Sequence, residues 1–398
     1  MNTAINGIHV SAEMPPMCSP LPKVPRTEHK EWPEKGSFHC DYFGSKNTVT
    51  KTQVNLAVNI MEPRIVLPTA SPNQVYVSVS ALDAGHITLP EHLFVTDTDP
   101  LNRVTVPSLS FLIQHPSPTR TTDSLDSGTH TNLVFDLGVK RDISKYAPAQ
   151  QTHISQRHPL ILSPDCADSL RAGGLDPANE VDAVILSHVH WDHVGTASDF
   201  TKAQFFVGSG TMHILHHGAG PYYPAEIFVG DEVPFEKTLE FPPVPSRPED
   251  HTRAVDATRQ TKHKWVEAQE DSQSHAMLDF YGDGSLFVVD APGHLYGHVN
   301  LLARTGPKRW IYLGGDCCHD PRILTGEKGI ALYDNGSGGL RSVHVDITAA
   351  KKTVGTVGRL MTEQVTENGG GTANIEVIVA HDREWRQKNL HRFWPSYL

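Results

Sequence analysis

Between Ser187 and Gly195 the sequence reads SHVHWDHVG, which sets His188, His190, Asp192 and His193 within six consecutive positions. Imidazole nitrogens and carboxylate oxygens are the donors that zinc and its borderline neighbours accept. His188 and His190 are two apart, so an extended backbone points both to one side, where they can grip one ion. A helix read from Trp191 carries Asp192 and His193 in its first turn, turned away from that pair and toward a second ion. One ion takes about three or four protein donors, so this stretch holds more than a single site wants. The alternative is a histidine-rich surface turn, since 24 histidines make some clustering expected. The HxHxDH pattern follows an apolar, β-branched run, VDAVIL (Val181–Leu186), and that placement argues against a mere surface turn.

Three further segments repeat the arrangement of a strand running into a donor. VVDAPGHLYGH places His294 after a strand and a Pro-Gly turn, IYLGGDCCHD places Asp316 after a strand and a glycine pair, and EVIVAHD places His381 at a strand end. A metal site assembled from several strand ends has this appearance. The positioning elements can be read around it. Alternating or continuous apolar runs predict strands at Gln74–Leu82, Val104–His115 (as one strand), Asn132–Val139, and in AQFFVGS, VNLLAR and RWIYLGGD. Gly-Asp-Gly within MLDFYGDGSLFVVDAPG predicts a hairpin. Ser163–Gly174 reads as a capped helix closed by glycines, and Asp346–Gln364 as a second helix. Strands first, then strands mixed with helices, suggest an α+β chain: two packed sheets with helices outside, a four-layer αββα sandwich. Residues 1–70 are Pro-rich and read as an extended arm. Residues 71–398 read as the catalytic domain, with a polar, Pro-rich insertion at about 231–274.

Composition narrows the class. The chain has 398 residues and a formal charge of −11, with no run of five or more basic residues, which disfavours a nucleic-acid partner. No apolar segment approaches the ~20 residues that span a bilayer, so no membrane partner is expected. The N-terminus lacks a basic start followed by an apolar core, so it does not read as a secretory signal. The five cysteines are odd in number and irregularly spaced, which points to a reducing, cytoplasmic setting rather than a disulfide framework.

In SHVHWDHVG, APGHLYGH, GGDCCHD and AHD, in that order and with VFDLG upstream, the chain resembles the metallo-β-lactamase fold superfamily over roughly residues 74–385. The resemblance implies an αββα sandwich with a dinuclear site at one edge. It implies that His188, His190 and His294 hold the first metal, that Asp192, His193 and His381 hold the second, and that Asp316 bridges them. Asp136, in VFDLG, matches the family's aspartate that orients a ligand histidine from behind. Asp316 stands where the zinc β-lactamases have cysteine, and His190 where the oxygen-reducing di-iron branch has glutamate. The closest likeness is to the N-acyl-homoserine lactonase-like branch, including fungal-type lactone and γ-lactam hydrolases. Those lactonases carry a tyrosine three residues after the bridging aspartate, whereas this chain has His319.

The expected cofactors are therefore two divalent metal ions, zinc first, and the expected function is opening of a small-molecule cyclic ester or amide by a metal-bridging hydroxide. Asp192 is the candidate proton carrier, and His319 the candidate acid for a leaving nitrogen. The alternative is a thioesterase of glyoxalase II or polyketide type, with a phosphodiesterase or nuclease behind it. Tyr222 and Tyr223 read as cover for a core edge rather than as substrate contacts. His213, His216 and His217 read as a solvated face, and Cys317 and Cys318 as small residues packed beneath the site. Oligomeric state is left open by the sequence.

Overall fold

The computed structural model describes residues 65–116, 130–228, 233–246, 257–266, 275–363, 365–367 and 371–398, all within one compact unit spanning Ile60–Leu398. Nearly all of the N-terminal arm, with Cys18 and Cys40, lies outside the described residues.

Two sheets carry the fold. The first orders its six strands as Ser78–Leu82, Ser110–Pro116, His130–Phe135, Ala183–Ile185, Gln204–Val207 and Thr238–Glu240, antiparallel at the start and parallel from His130–Phe135 onward. The second orders five as Met277–Asp279, Leu286–Asp290, Val299–Gly306, Arg309–Leu313 and Asn374–Ile378, with only the last pair parallel. Side chains alternate between faces along a strand, and here both faces are apolar. Phe111, Ile113, Leu133, Phe135 and Ile185 pack inward against Leu286, Val288, Leu301, Ile311 and Leu313 of the other sheet. Their neighbours Leu112, Val134, Val184, Leu302 and Trp310 face outward to helices such as Cys166–Ala172 and Ile347–Thr362. Each of those helices begins at an aspartate that caps its first turn, Asp165 onto the amide of Asp168 and Asp346 onto Thr348 and Ala349. The αββα sandwich expected from the sequence is the fold observed.

Three local differences bear on the site. The stretch read as one strand, Val104–His115, is two: Arg103–Pro107 pairs with His86–Pro90 in a separate hairpin, and Ser110–Pro116 enters the first sheet. The break falls after Pro107, where Ser108 N donates to Gly85 O and Leu109 N to Ala380 O, so the chain changes partners within two residues. Part of the segment read as an insertion is sheet: Thr238–Glu240 forms the edge strand beside Gln204–Val207, and Phe241 is buried between the sheets. At the other end of the chain, Val66–Leu67 pairs in parallel with Thr366–Glu367. Pro68 O there accepts from the buried Arg304, so the last residues read as arm are tied to the sandwich. Among the described residues no helix is long and apolar enough to cross a membrane.

The loop that carries His294 is pressed against the end of the first sheet at Gly208. A Cβ on Gly208 would stand 1.8 Å from Gly297 O, so only glycine permits that approach. Gly208→Ala is expected to cost about 1–3 kcal/mol through backbone displacement, read as a fall in thermal midpoint. An unchanged midpoint would contradict the close approach.

Candidate metal centre

The strand Ala183–Ile185 is short, fully buried, and delivers Ser187 to the sheet edge. No α-helix follows, contrary to the sequence expectation. Trp191 O accepts from Tyr146 Oη at 2.5 Å, and His193 O from Leu137 N at 2.8 Å. Carbonyls that a helix would offer to its own next turn are thus taken by other segments. Asp192 and His193 sit instead in a tight turn in which His193 N donates to His190 O at 3.0 Å. The His193 ring stays 4.3 Å from that of His188, closer than the expected helix implied, with its Nε2 turned to Asp316.

The other donors arrive from the second sheet. His294 follows Leu286–Asp290, Asp316 follows Arg309–Leu313, and His381 follows Asn374–Ile378. The structure brings all seven together in two groups: His188, His190, His294 and Asp316, then Asp192, His193, Asp316 and His381, with donor atoms in each group within 4.8 Å of one another. Asp316 belongs to both. Its Oδ2 lies 3.5 Å from His294 Nε2 and 3.8 Å from His188 Nε2, and its Oδ1 lies 3.1 Å from His381 Nε2 and 3.2 Å from His193 Nε2. In the first group His188 Nε2 and His294 Nε2 each come within 2.9 Å of His190 Nδ1. In the second, Asp192 Oδ2 is 3.5 Å from His381 Nε2 and 3.9 Å from His193 Nε2.

Partners behind the rings decide which nitrogen faces inward. His381 Nδ1 donates to Pro107 O at 2.7 Å, which leaves Nε2 as the free lone pair. Asp136 Oδ2 receives His193 Nδ1 at 2.9 Å, as the sequence resemblance implied. Asp136 also accepts Ser187 N at 2.6 Å and Ser187 Oγ at 2.7 Å, and it takes a left-handed backbone with φ +59°. Three hydrogen bonds hold that unfavourable conformation in place. Ser187 Oγ spends its proton on Asp136, so it accepts from His188 Nδ1 at 3.0 Å, and His188 Nε2 faces the group. His193 Nε2, His190 Nε2, His294 Nδ1 and Asp316 Oδ1 are buried without a hydrogen-bond partner. Buried polar atoms are nearly always paired; of these four, His193 Nε2 and Asp316 Oδ1 lie 3.2 Å apart within the second group and fit a divalent cation, while His190 and His294 turn their other nitrogens to the first group. The donor set, imidazole and carboxylate in two groups of four, suits zinc and its neighbours.

Electrostatics differ between the two groups. Burial drives His190 down to about 3, and burial together with neighbouring imidazoles holds His188 and His294 well below the usual histidine range. Those rings are neutral, the form that donates to a metal. Burial opposes charge on His193 and His381 as well, but the carboxylate of Asp316 prevails at both, helped by Asp136 and Asp192, and raises them. Asp316 itself pays for burial, yet His381, His193 and His319 hold it well below the carboxylate range.

Several neighbours complete the surroundings. His319 Nε2 is 3.2 Å from Asp316 Oδ2, and its ring lies 4.9 Å from Phe94. Asp316 N donates to His298 Nε2 at 3.2 Å. His344 is buried 5.0 Å from His294 and 5.3 Å from His319. Neither His298 nor His344 was picked out from the sequence. His298 had a faint signal, standing four residues after His294, whereas His344 sits in a loop with no pattern around it. Tyr223 lies with its ring 5.1 Å from His190 and donates to Val343 O at 2.6 Å, so it walls the first group. His213 and His217 stack on each other at 4.1 Å along Thr211–His217 and join none of these groups. Cys317 and Cys318 are free, buried thiols packed beside Asp316, and burial pushes Cys317 up to about 12.

Such a fold, with two His/Asp groups sharing one aspartate at the edge where its sheets meet, defines a class of αββα metal-site proteins. The chain carries a domain of the metallo-β-lactamase superfamily: the family described as "Metallo-beta-lactamase superfamily" matches residues 159–291. Cytochrome P450 monooxygenase mpaDE′ of Penicillium brevicompactum is 25% identical over 363 residues, which are 85% of this chain and 37% of that protein. The chain thus spans about a third of the length of the first curated relatives it matches. Gamma-lactamase FDB1 of Fusarium pseudograminearum is 30% identical over 222 residues, covering 53% of this chain and 45% of the relative. A solved quorum-quenching N-acyl homoserine lactone hydrolase superposes with a TM-score of 0.51 over 84% of this chain and 100% of its own, at 14% identity, and so shares the fold.

Removing the carboxylate behind a ligand histidine typically costs about 10–100-fold in metal affinity. Asp136→Ala is therefore expected to weaken an ion that His193 would hold by about that factor in a chelator competition. Wild-type affinity in this variant would show that Asp136 does not orient the ring.

Proposed function

We propose that the chain is a metal-dependent hydrolase that opens a cyclic ester or amide, a lactone or γ-lactam, using two divalent ions with zinc first among the candidates. The observation that carries this reading is the convergence of seven buried donors into two groups joined by the two oxygens of Asp316. His188, His190 and His294 would hold one ion, and Asp192, His193 and His381 the other. Bound there, the pair would supply the Lewis acidity that makes water nucleophilic near neutral pH. The names of the relatives, a gamma-lactamase and a lactone hydrolase of the same fold, support a cyclic carbonyl substrate.

The chain's own residues fill the remaining roles. A cavity of about 830 Å³ opens beside His319 and His381, with Leu89, Phe94, Val104 and Val106 among its lining. That size suits a small organic molecule, and charged side chains such as Glu91, Arg103, Arg322 and Arg383 line it alongside the apolar ones. Asp192 is the residue to take the proton of the attacking water. His319 reaches Asp316 on one side and the cavity on the other, which supports a role for it in protonating a leaving group. An alkoxide leaves a lactone without such help more readily than an amide nitrogen leaves a lactam, so the acid matters more for the lactam.

Metal analysis of the purified protein, paired with a panel of lactones, γ-lactams and thioesters, tests this reading. We expect close to two ions per chain and turnover of a cyclic substrate, with Asp316→Ala losing both. Full turnover in a metal-free preparation, or activity confined to thioesters, would defeat it. Loss of a general acid typically costs about 10²–10⁴-fold. His319→Ala should therefore lower kcat for a γ-lactam by that order while lowering kcat for the matching lactone far less. Equal losses on the two would remove His319 from the proton-donor role.

A further inference from the structure

Two arginines are buried in the described fold, and they are satisfied very differently. Arg304 is 0% exposed, donates to Glu367 Oε1 at 2.8 Å, to Pro68 O at 2.6 Å and to Gly284 O at 3.2 Å, and stacks 3.9 Å from the Trp310 ring. That is how a structural guanidinium is accommodated. Arg157 is 8% exposed, and among the described residues no side chain or carbonyl hydrogen-bonds or ion-pairs with its guanidinium. A buried charge left without a partner is among the more costly features a fold can retain.

Its surroundings belong to the candidate metal centre. Burial opposes charge on Arg157, Asp192 attracts it and Arg103 repels it, with Tyr333 and Tyr223 also near. Asp192 attracts it without reaching ion-pair distance, its shorter approaches being to His381 and His193. Tyr223 is the residue whose ring covers His190. Arg341 stands on the same side, over Tyr222 at 4.5 Å and Tyr333 at 5.0 Å, and adds its positive charge to that of Arg157 around His153. The segment carrying Arg157 is held firmly. Arg103 donates to Gln156 O at 2.5 Å, Thr88 Oγ1 donates to Pro159 O at 2.8 Å, and His86 and Ile161 exchange backbone hydrogen bonds. The segment is thus fixed in place, with Asp192 the carboxylate near enough to act on its unpaired guanidinium.

We propose that Arg157 is a carboxylate-binding residue of the active site, so that the ring opened here belongs to a substrate that also carries a carboxylate. This rests on the hydrolase reading above and specifies its substrate class: an acidic lactone or lactam rather than a neutral one. The planar guanidinium offers two parallel donors to a carboxylate, and a bound anion would supply the partner that the protein withholds. Docked on Arg157, the carboxylate anchors the molecule beside Asp192 and leaves the ring carbonyl to the two His/Asp groups.

Calorimetric titration of the metal-loaded protein with benzoate and with its neutral isostere benzamide tests the assignment without turnover. Any attraction of benzoate to the ions is common to wild type and variant. Arg157→Met should weaken benzoate at least tenfold and leave benzamide unchanged, while Arg157→Lys retains part of the preference. The thermal midpoint of Arg157→Met should be no lower than that of wild type, because the substitution removes an unpaired buried charge. Equal benzoate affinity in wild type and Arg157→Met would overturn the proposal. A lowered midpoint with parallel losses for both probes would also overturn it, by showing a structural guanidinium. Turnover of a neutral lactone by the wild type is scored separately, so failure of the hydrolase reading and failure of the carboxylate assignment remain distinguishable.

Discussion

A carboxylate buried to 3% exposure is the constraint around which this molecule is organised. Asp316 is costly to hold in an apolar interior unless positive charge or polar ring nitrogens surround it. The fold answers by directing His193 and His381 at one of its oxygens and His188, His294 and His319 at the other. Each of these rings must in turn be fixed in tautomer and direction. That requirement explains Pro107 O behind His381, and the Asp136–Ser187 pair behind His193 and His188. The strained backbone of Asp136 and the abandonment of helix at Trp191 are consequences of the same demand, since both let the chain double back beneath the donors.

Much of the centre could be read from the sequence because its donors lie in short patterns at strand ends. HxHxDH, and the single donors His294, Asp316 and His381, each follow an apolar run whose period marks a strand, and all seven meet in space. What could not be read depends on contacts remote in the chain. The turn at Trp191 looks helical locally and is decided by Tyr146 and Leu137, more than forty residues away. The split at Pro107 is decided by Gly85 and Ala380. His344 and Arg157 lie in stretches with no periodicity and acquire meaning only from what surrounds them. The residues set apart as an insertion supply an edge strand because Phe241 finds a place between the sheets, a fact composition does not carry.

The division between neutral and charge-bearing imidazoles has the same origin. Burial, reinforced by neighbouring imidazoles, governs His188, His190 and His294, whereas at His193 and His381 carboxylates reverse its effect. The hairpin formed by His86–Pro90 and Arg103–Pro107 serves this region twice. It supplies Leu89, Val104 and Val106 to the cavity, and through Thr88 and Arg103 it holds the segment of Arg157. Cavity shape and the position of that guanidinium are therefore coupled through one small element.

The donors are also divided by origin: His188, His190, Asp192 and His193 leave the first sheet, and His294, Asp316 and His381 leave the second. Cations seated among them would act as rivets across the seam of the sandwich, joining two halves otherwise held by apolar packing and a few backbone hydrogen bonds such as Val299 N to Ser187 O. Chemistry and mechanical integrity would then share the same bolts, so that whatever strips the ions also loosens the frame that gathers their ligands.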